Sequence, residues 1–228
     1  MIQFLKFLLA ILLLPTVVFA AAETFYLFLP LIGNWKTVLP FLIGIVLYIV
    51  LHYRVYNFSR PYVFIHEITH AVAAWLCGYR VSKISVKKDN GFVKMDKTNT
   101  FVVLAPYFIP GYVVLTILLY ILISLFVSLE PYNNYVLGLI GFLMAFHFIQ
   151  TFHTLWEADQ PDLQLAGGKV FSLVAIVLAN LFILACVLKI LFPAEVQLLL
   201  AGKNVVKGTV TVWRIIVNYI VEHISNSV

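Results

Sequence analysis

Long apolar runs separated by short polar breaks dominate the chain. They cover about residues 4–29, 38–53, 61–78, 101–128, 135–156 and 170–192. A helix of about 20 apolar residues crosses the hydrocarbon of a bilayer. Most of the runs therefore predict membrane-spanning helices, although 61–78 is short for a full crossing. The breaks are Gly33-Asn34-Trp35-Lys36, Arg54, Gly78, Glu130-Pro131-Tyr132-Asn133-Asn134 and the stretch from Glu157 to Lys169. The pattern predicts an all-α polytopic membrane protein of about five to six transmembrane helices.

Two segments depart from this pattern. In residues 80–97, Val81, Ile84 and Val86 are interspersed with Ser and Lys, and Phe92-Val93-Lys94-Met95 follows Asn90-Gly91. Asn-Gly between two short β-type runs predicts a hairpin. In residues 195–224, Lys203, Lys207, Thr211, Arg214 and Asn218 recur at helical spacing. That stripe predicts an amphipathic helix, interfacial or packed in a bundle.

Composition agrees with a lipid environment. The 228 residues are 63% hydrophobic and 11% charged, with mean hydropathy +1.01, whereas soluble domains carry about 25% charged residues. No room is left for a separate soluble domain. The start resembles a secretory signal, with Lys6, an apolar run and Ala20-Ala21-Ala22. The run continues through Phe25-Tyr26-Leu27-Phe28-Leu29, so residues 1–30 are read as a retained transmembrane helix or uncleaved signal-like segment. Cys77 and Cys186 both sit in apolar runs and are read as buried thiols rather than a disulfide.

Net charge is +5. The basic residues lie in short loops beside the apolar runs, which fits orientation and anionic lipid rather than nucleic acid. Arg54 and Arg60 flank the 61–78 run on one side. Arg80, Lys83, Lys87, Lys88, Lys94 and Lys97 flank it on the other. Both flanks read as cytoplasmic, so the 61–78 helix and the hairpin leave and return on one side. Irregular backbone at membrane depth needs a protein-lined or wet cavity. Two further spans bring the Glu157–Lys169 loop back to that side.

The candidate chemistry lies in the short run. His66-Glu67-Ile68-Thr69-His70 is an HExxH pattern. Histidines four apart share one helix face and can hold one Zn²⁺, and the intervening glutamate can take a proton from the attacking water. The bland alternative is a pair of packed histidines. Three ionisable groups within five residues of an apolar run argue for a site instead.

A catalytic zinc needs a third protein ligand. The dense downstream cluster is His153…Glu157-Ala158-Asp159-Gln160-Pro161-Asp162, with Gly167-Gly168 after it. Asp162 is the first candidate, and Asp159 and His153 are the alternatives. His147 lies mid-span, where a helix–helix hydrogen bond competes with an active-site role.

These motifs resemble the site-2 protease family of intramembrane zinc metalloproteases, in its compact bacterial form without accessory domains. The resemblance spans about residues 38–190. It rests on Phe64-Ile65-His66-Glu67-Ile68-Thr69-His70-Ala71, Ala73-Ala74-Trp75-Leu76-Cys77-Gly78, Lys97-Thr98-Asn99, Leu104-Ala105-Pro106-Tyr107-Phe108, Phe146-His147, Gln160-Pro161-Asp162-Leu163, Gly167-Gly168 and Phe171-Ser172. The family implies zinc on His66, His70 and Asp162, with Glu67 as catalytic base. One departure is that Leu163 follows Asp162, where better-known members have Gly.

The expected organisation is one integral-membrane metalloprotease-like domain over 1–228. Within it, 38–192 forms the catalytic core and 195–228 the amphipathic C-terminal helix. The expected activity is hydrolysis of peptide bonds in membrane-embedded substrates. Asn99 and Gln160 are candidate oxyanion or substrate contacts, with His147 beside them. The expected setting is the bilayer of a bacterial inner membrane, multi-pass, with the active site towards the cytoplasm. The partner is a transmembrane segment of a membrane protein, and oligomeric state is open. The alternatives are a zinc-binding membrane protein that does not hydrolyse, such as a binder of transmembrane segments or a transporter, and a protease with Glu130 or Glu157 as third ligand.

Overall fold

The computed structural model describes residues 1–87, 90–157 and 160–226, without the side chain of Glu157. Its elements are α1 (Ile2–Gly33), α2 (Trp35–Arg54), α3 (Ser59–Leu76), β1 (Val81–Val86), β2 (Gly91–Met95), α4 (Thr100–Phe108), α5 (Gly111–Ser124), a 3₁₀ turn at Glu130–Tyr132, α6 (Asn133–Glu157), α7 (Pro161–Ala166), α8 (Lys169–Leu191) and α9 (Leu198–Ser225). Among the described residues, four helices are long and apolar enough to cross a membrane: α1, α2, the Glu130–Trp156 stretch and α8. The count is five if α4 and α5, bent by 78° at their junction, form one broken span.

The expected five to six spans thus become four or five. The difference is α3. It carries Arg60, His66, Glu67 and His70 in 18 residues and is not apolar enough to stand among the candidate spans. Extended backbone between Phe108 and Gly111 also splits the 101–128 run, because Pro110 has no amide hydrogen to continue the helix.

The chain separates into two compact units, residues 34–172 and residues 1–33 with 173–228. In the first, α2 and α6 pack closely. A Cβ on Gly44 would strike the Gly138 backbone, and one on Gly141 would strike the Phe41 carbonyl, so small residues let the two backbones approach. Tyr48 is fully buried in this seam, edge-on to Phe142 and Phe146. In the second unit, α9 lies antiparallel along α1. Trp213 Nε1 donates to the Leu12 carbonyl at 3.2 Å and Asn204 Nδ2 to Glu23 Oε2 at 3.1 Å.

The hairpin forms with β1 antiparallel to β2 and Ser85 opposite Phe92. Lys87 N donates to the Asn90 carbonyl at 2.8 Å. Lys88 and Asp89 lie outside the described residues. Cys77 and Cys186 are both free thiols.

Candidate metal centre and active site

The geometry starts from small residues on α3. Ala73 and Ala74 are buried against Val102 and Ala105 of α4, which brings the α4 backbone up to the histidine face. Pro106 then matters for a reason of its own. It has no N–H, so the Val102 carbonyl four residues earlier gets no partner within the helix. That carbonyl instead lies 2.8 Å from His70 Nδ1. An Nδ1–H donated there leaves the Nε2 lone pair free for a metal, the usual second support of a metal-binding histidine. Pro106→Ala restores the helical hydrogen bond and so competes for the carbonyl. We expect thermal stability to be kept or raised, while zinc affinity, read by competition with a chelator, falls by about tenfold.

Asp162 arrives from the other side. Pro161 starts the short helix α7, which puts Asp162 in its first turn. α7 is held on α4 by Leu163 and Ala166, both fully or nearly fully buried, and by Thr100 Oγ1 donating to the Ala166 carbonyl at 3.3 Å. Gly167 and Gly168 leave the helix at φ 135° and 102°, which L side chains rarely adopt. Asp162 Oδ2 then lies 3.4 Å from His70 Nε2 and 3.9 Å from His66 Nε2. Donor atoms of these three residues all fall within 4.8 Å of one another.

Tetrahedral zinc with bonds of about 2.0–2.2 Å holds its ligand atoms about 3.4 Å apart. Two imidazole nitrogens and one carboxylate at 3.4 and 3.9 Å, all within 4.8 Å, come close to that spacing and are the donor types such an ion takes. The Tyr107 hydroxyl donates to Asp162 Oδ2 at 2.9 Å, with Gln160 Oε1 3.4 Å away. Burial by itself would raise the Asp162 carboxyl. The nearby His66 and His70 rings and the hydrogen bond from Tyr107 outweigh it and hold the group well below the usual carboxylate range. Asp162 is therefore ionised at neutral pH, as a metal ligand must be.

Glu67 is 7% exposed and lines the same cavity of about 800 Å³ as the three donors. Gly91, the first residue of β2, lies directly on it. A Cβ at Gly91 would come 2.5 Å from Glu67 Cγ and 2.7 Å from Oε1, so only glycine lets the strand close over the carboxylate. Phe92, Val93 and Met95 continue the β2 wall of the cavity. Gly91→Ala is expected to displace the Glu67 carboxylate and cut turnover by about 10–100-fold. Metal content should stay at the wild-type level, which elemental analysis checks.

The other sequence candidates distribute as follows. Gln160 lines the cavity, with Nε2 donating to the Thr154 carbonyl at 3.0 Å. His153 also lines it, with its ring 5.4 Å from that of His52 rather than in the His66–His70–Asp162 group. Asn99 is not among the lining residues. Its Oδ1 caps α4 by accepting from Val102 N at 2.9 Å, and its Nδ2 reaches the Tyr79 hydroxyl at 3.2 Å. His147 is 5% exposed and also away from the cavity lining. Asp159 lies outside the described residues.

Sequence reasoning gave no role to Tyr107, to Gly91 as the seat of Glu67, or to the Val102 carbonyl. Only Tyr107 carried a signal: a tyrosine in an apolar helix needs a partner for its hydroxyl.

A family model described as Peptidase M50B-like matches residues 39–202. The match takes in His66, Glu67, His70 and Asp162 together with most of α2 and all of α3 to α8. No curated protein matches the chain, and no solved structure does. Its apolar helices and its family make it an integral membrane protein. The chain therefore belongs to the Peptidase M50B-like family, the membrane metallopeptidases whose site-2 proteases its motifs resemble.

Proposed function

We propose that this chain is an intramembrane zinc endopeptidase that cuts transmembrane segments of other membrane proteins. The observation that carries the proposal is the convergence of His66, His70 and Asp162 within 4.8 Å, in a cavity shared with Glu67. In this reading His66, His70 and Asp162 hold zinc. When bound there, zinc supplies Lewis acidity that lowers the pKa of water and polarises a carbonyl.

Glu67 takes the proton of the attacking water and returns it to the leaving amine. Its burial removes competing solvent, and the Gly91 backbone holds it in place. Val102 and Tyr107 orient His70 and Asp162. Gln160 lines the cavity, and in this reading the second N–H of its amide, the first being given to the Thr154 carbonyl, donates to a developing oxyanion.

A helical substrate must unwind before it is cut. Its extended strand pairs with β2, whose residues Gly91 to Val93 and Met95 line the cavity. The basic flanks of α3 orient the site towards the cytoplasmic face, and the compact bacterial resemblance suggests an inner membrane.

The test is detergent-purified protein assayed for metal and for cleavage of a membrane-anchored peptide in liposomes. One zinc per chain and cleavage lost on chelation and regained with zinc is the expected result. Protein that binds one zinc but leaves a panel of transmembrane peptides intact would move the reading to a non-hydrolytic zinc binder. Protein that takes up no zinc would sink both.

A further inference from the structure

The geometry points to a docking seam on α9 for a partner transmembrane helix that carries carboxylates. This inference is independent of whether the chain cleaves peptides. Three observations carry it.

The first is a polar stripe with nothing to pair with. Lys203, Lys207 and Arg214 are exposed, and no hydrogen bond, ion pair or ring contact engages their side chains among the described residues. At 100° per residue the three fall within about a quarter of the helix circumference. The face they form is turned away from the one that meets α1 through Asn204, Gly208, Thr209 and Trp213.

The second is depth. α1 is long and apolar enough to cross a membrane. The Trp213–Leu12 and Thr209–Thr16 contacts set α9 antiparallel to it, with Asn204 opposite Glu23. In that register Arg214 lies beside Ile11, Lys207 beside Val18 and Lys203 beside Ala22. Whichever 20-residue stretch of α1 fills the hydrocarbon, at least one of the three cations is within about one helical turn of its centre. Headgroups lie about 15 Å from the bilayer centre, so about 10 Å or more from the level of that cation, farther than one extended lysine or arginine side chain snorkels. Lipid headgroups therefore cannot serve the whole stripe.

The third is sign. The single carboxylate of α9, Glu222, lies two turns beyond Arg214. Face-to-face packing of two copies through the stripe would set cations against cations. Charge complementarity selects a helix bearing Asp or Glu at spacings i, i+4 and i+11. A carboxylate stays ionised in hydrocarbon only beside such a cation.

The experiment uses the full chain, fluorescently labelled, in phosphatidylcholine vesicles. Two synthetic oligo-leucine transmembrane peptides serve as probes, one with Glu at i, i+4 and i+11 and one with Gln at the same positions. The Glu peptide is expected to associate about tenfold more tightly than the Gln peptide. The preference should vanish in Lys203→Gln/Lys207→Gln/Arg214→Gln and persist in Lys203→Arg/Lys207→Arg. Equal association of the two peptides overturns the inference. So does a preference that survives the triple glutamine variant.

Two other outcomes also overturn it by naming a different occupant. One is binding of phosphatidylglycerol that depends on the stripe while the Glu peptide shows no preference. The other is energy transfer between labelled copies that the triple variant abolishes. If the triple variant does not fold, Lys207→Gln alone should still reduce the preference severalfold, and no reduction counts against the seam.

Discussion

Glu67→Gln is expected to leave zinc bound at one per chain and to lower cleavage by about 10²–10⁴-fold, the range that proton transfer contributes. The amide keeps the size and the hydrogen-bonding reach of the acid but has no basic oxygen to accept the proton of the attacking water. Glu67 is no member of the His66–His70–Asp162 donor group, so metal content and turnover should separate cleanly. The carboxylate is packed under Gly91, and the isosteric amide fits that space without moving β2. Elemental analysis and a liposome cleavage assay on the same preparation decide the matter. Retained cleavage would remove Glu67 from the mechanism, and lost zinc would make it part of the metal site.

Asp162→Ala should fail earlier, at metal binding. Supporting groups around a metal cost about 10–100-fold when removed, and a direct ligand should exceed that range. Zinc affinity is therefore expected to drop by more than about 100-fold, with cleavage lost in parallel. His153→Ala should keep its zinc, because His153 faces His52 and lies apart from the three-residue group. Asp159→Ala is the matching control for the other candidate in the same loop.

The alanine variant also takes the 2.9 Å acceptor from the buried Tyr107 hydroxyl and leaves it the longer 3.4 Å contact to Gln160 Oε1, a weakening that costs up to about 1–3 kcal/mol. Adding Tyr107→Phe should recover part of that stability without recovering zinc. Full zinc in Asp162→Ala would show that another side chain completes the set.

How much of this was legible beforehand varies by element. The helices read from apolar runs are present because lipid-facing segments declare themselves by length and composition alone. The hairpin was visible in two short β-type runs around Asn90-Gly91, although Gly91 pairs with Val86 as the first residue of β2 rather than forming a two-residue turn with Asn90. His66, Glu67 and His70 were legible because a spacing of four residues fixes a shared helix face. The break between α4 and α5 was missed. A 101–128 run looks continuous to a hydropathy reading, although Pro110-Gly111 carried a local breaker signal within it.

Long-range relations behaved differently. The sequence held Asp162, Asp159 and His153 as candidates, and nothing local separates them. In the structure α7 docks on α4 through Leu163, Ala166 and Thr100, and that docking carries Asp162 alone of the described candidates to 3.4 Å from His70. Asn99 looked available for substrate and is taken up by the start of α4. The stripe of α9 was plain at helical spacing, but its neighbour was not. Packing along α1 through Thr209 and Trp213 is what sets those cations alongside a helix long and apolar enough to cross a membrane.

By itself, then, the sequence determined the lipid-embedded class, the hairpin and the histidine pair, because each follows from a period or a turn within a few residues. Only the tertiary structure decided the third donor, the glycine over Glu67 and the carbonyl freed by Pro106 for His70. Those depend on contacts between segments 24 to 96 residues apart, from Glu67–Gly91 to His66–Asp162, and no local preference encodes which of many such contacts will form.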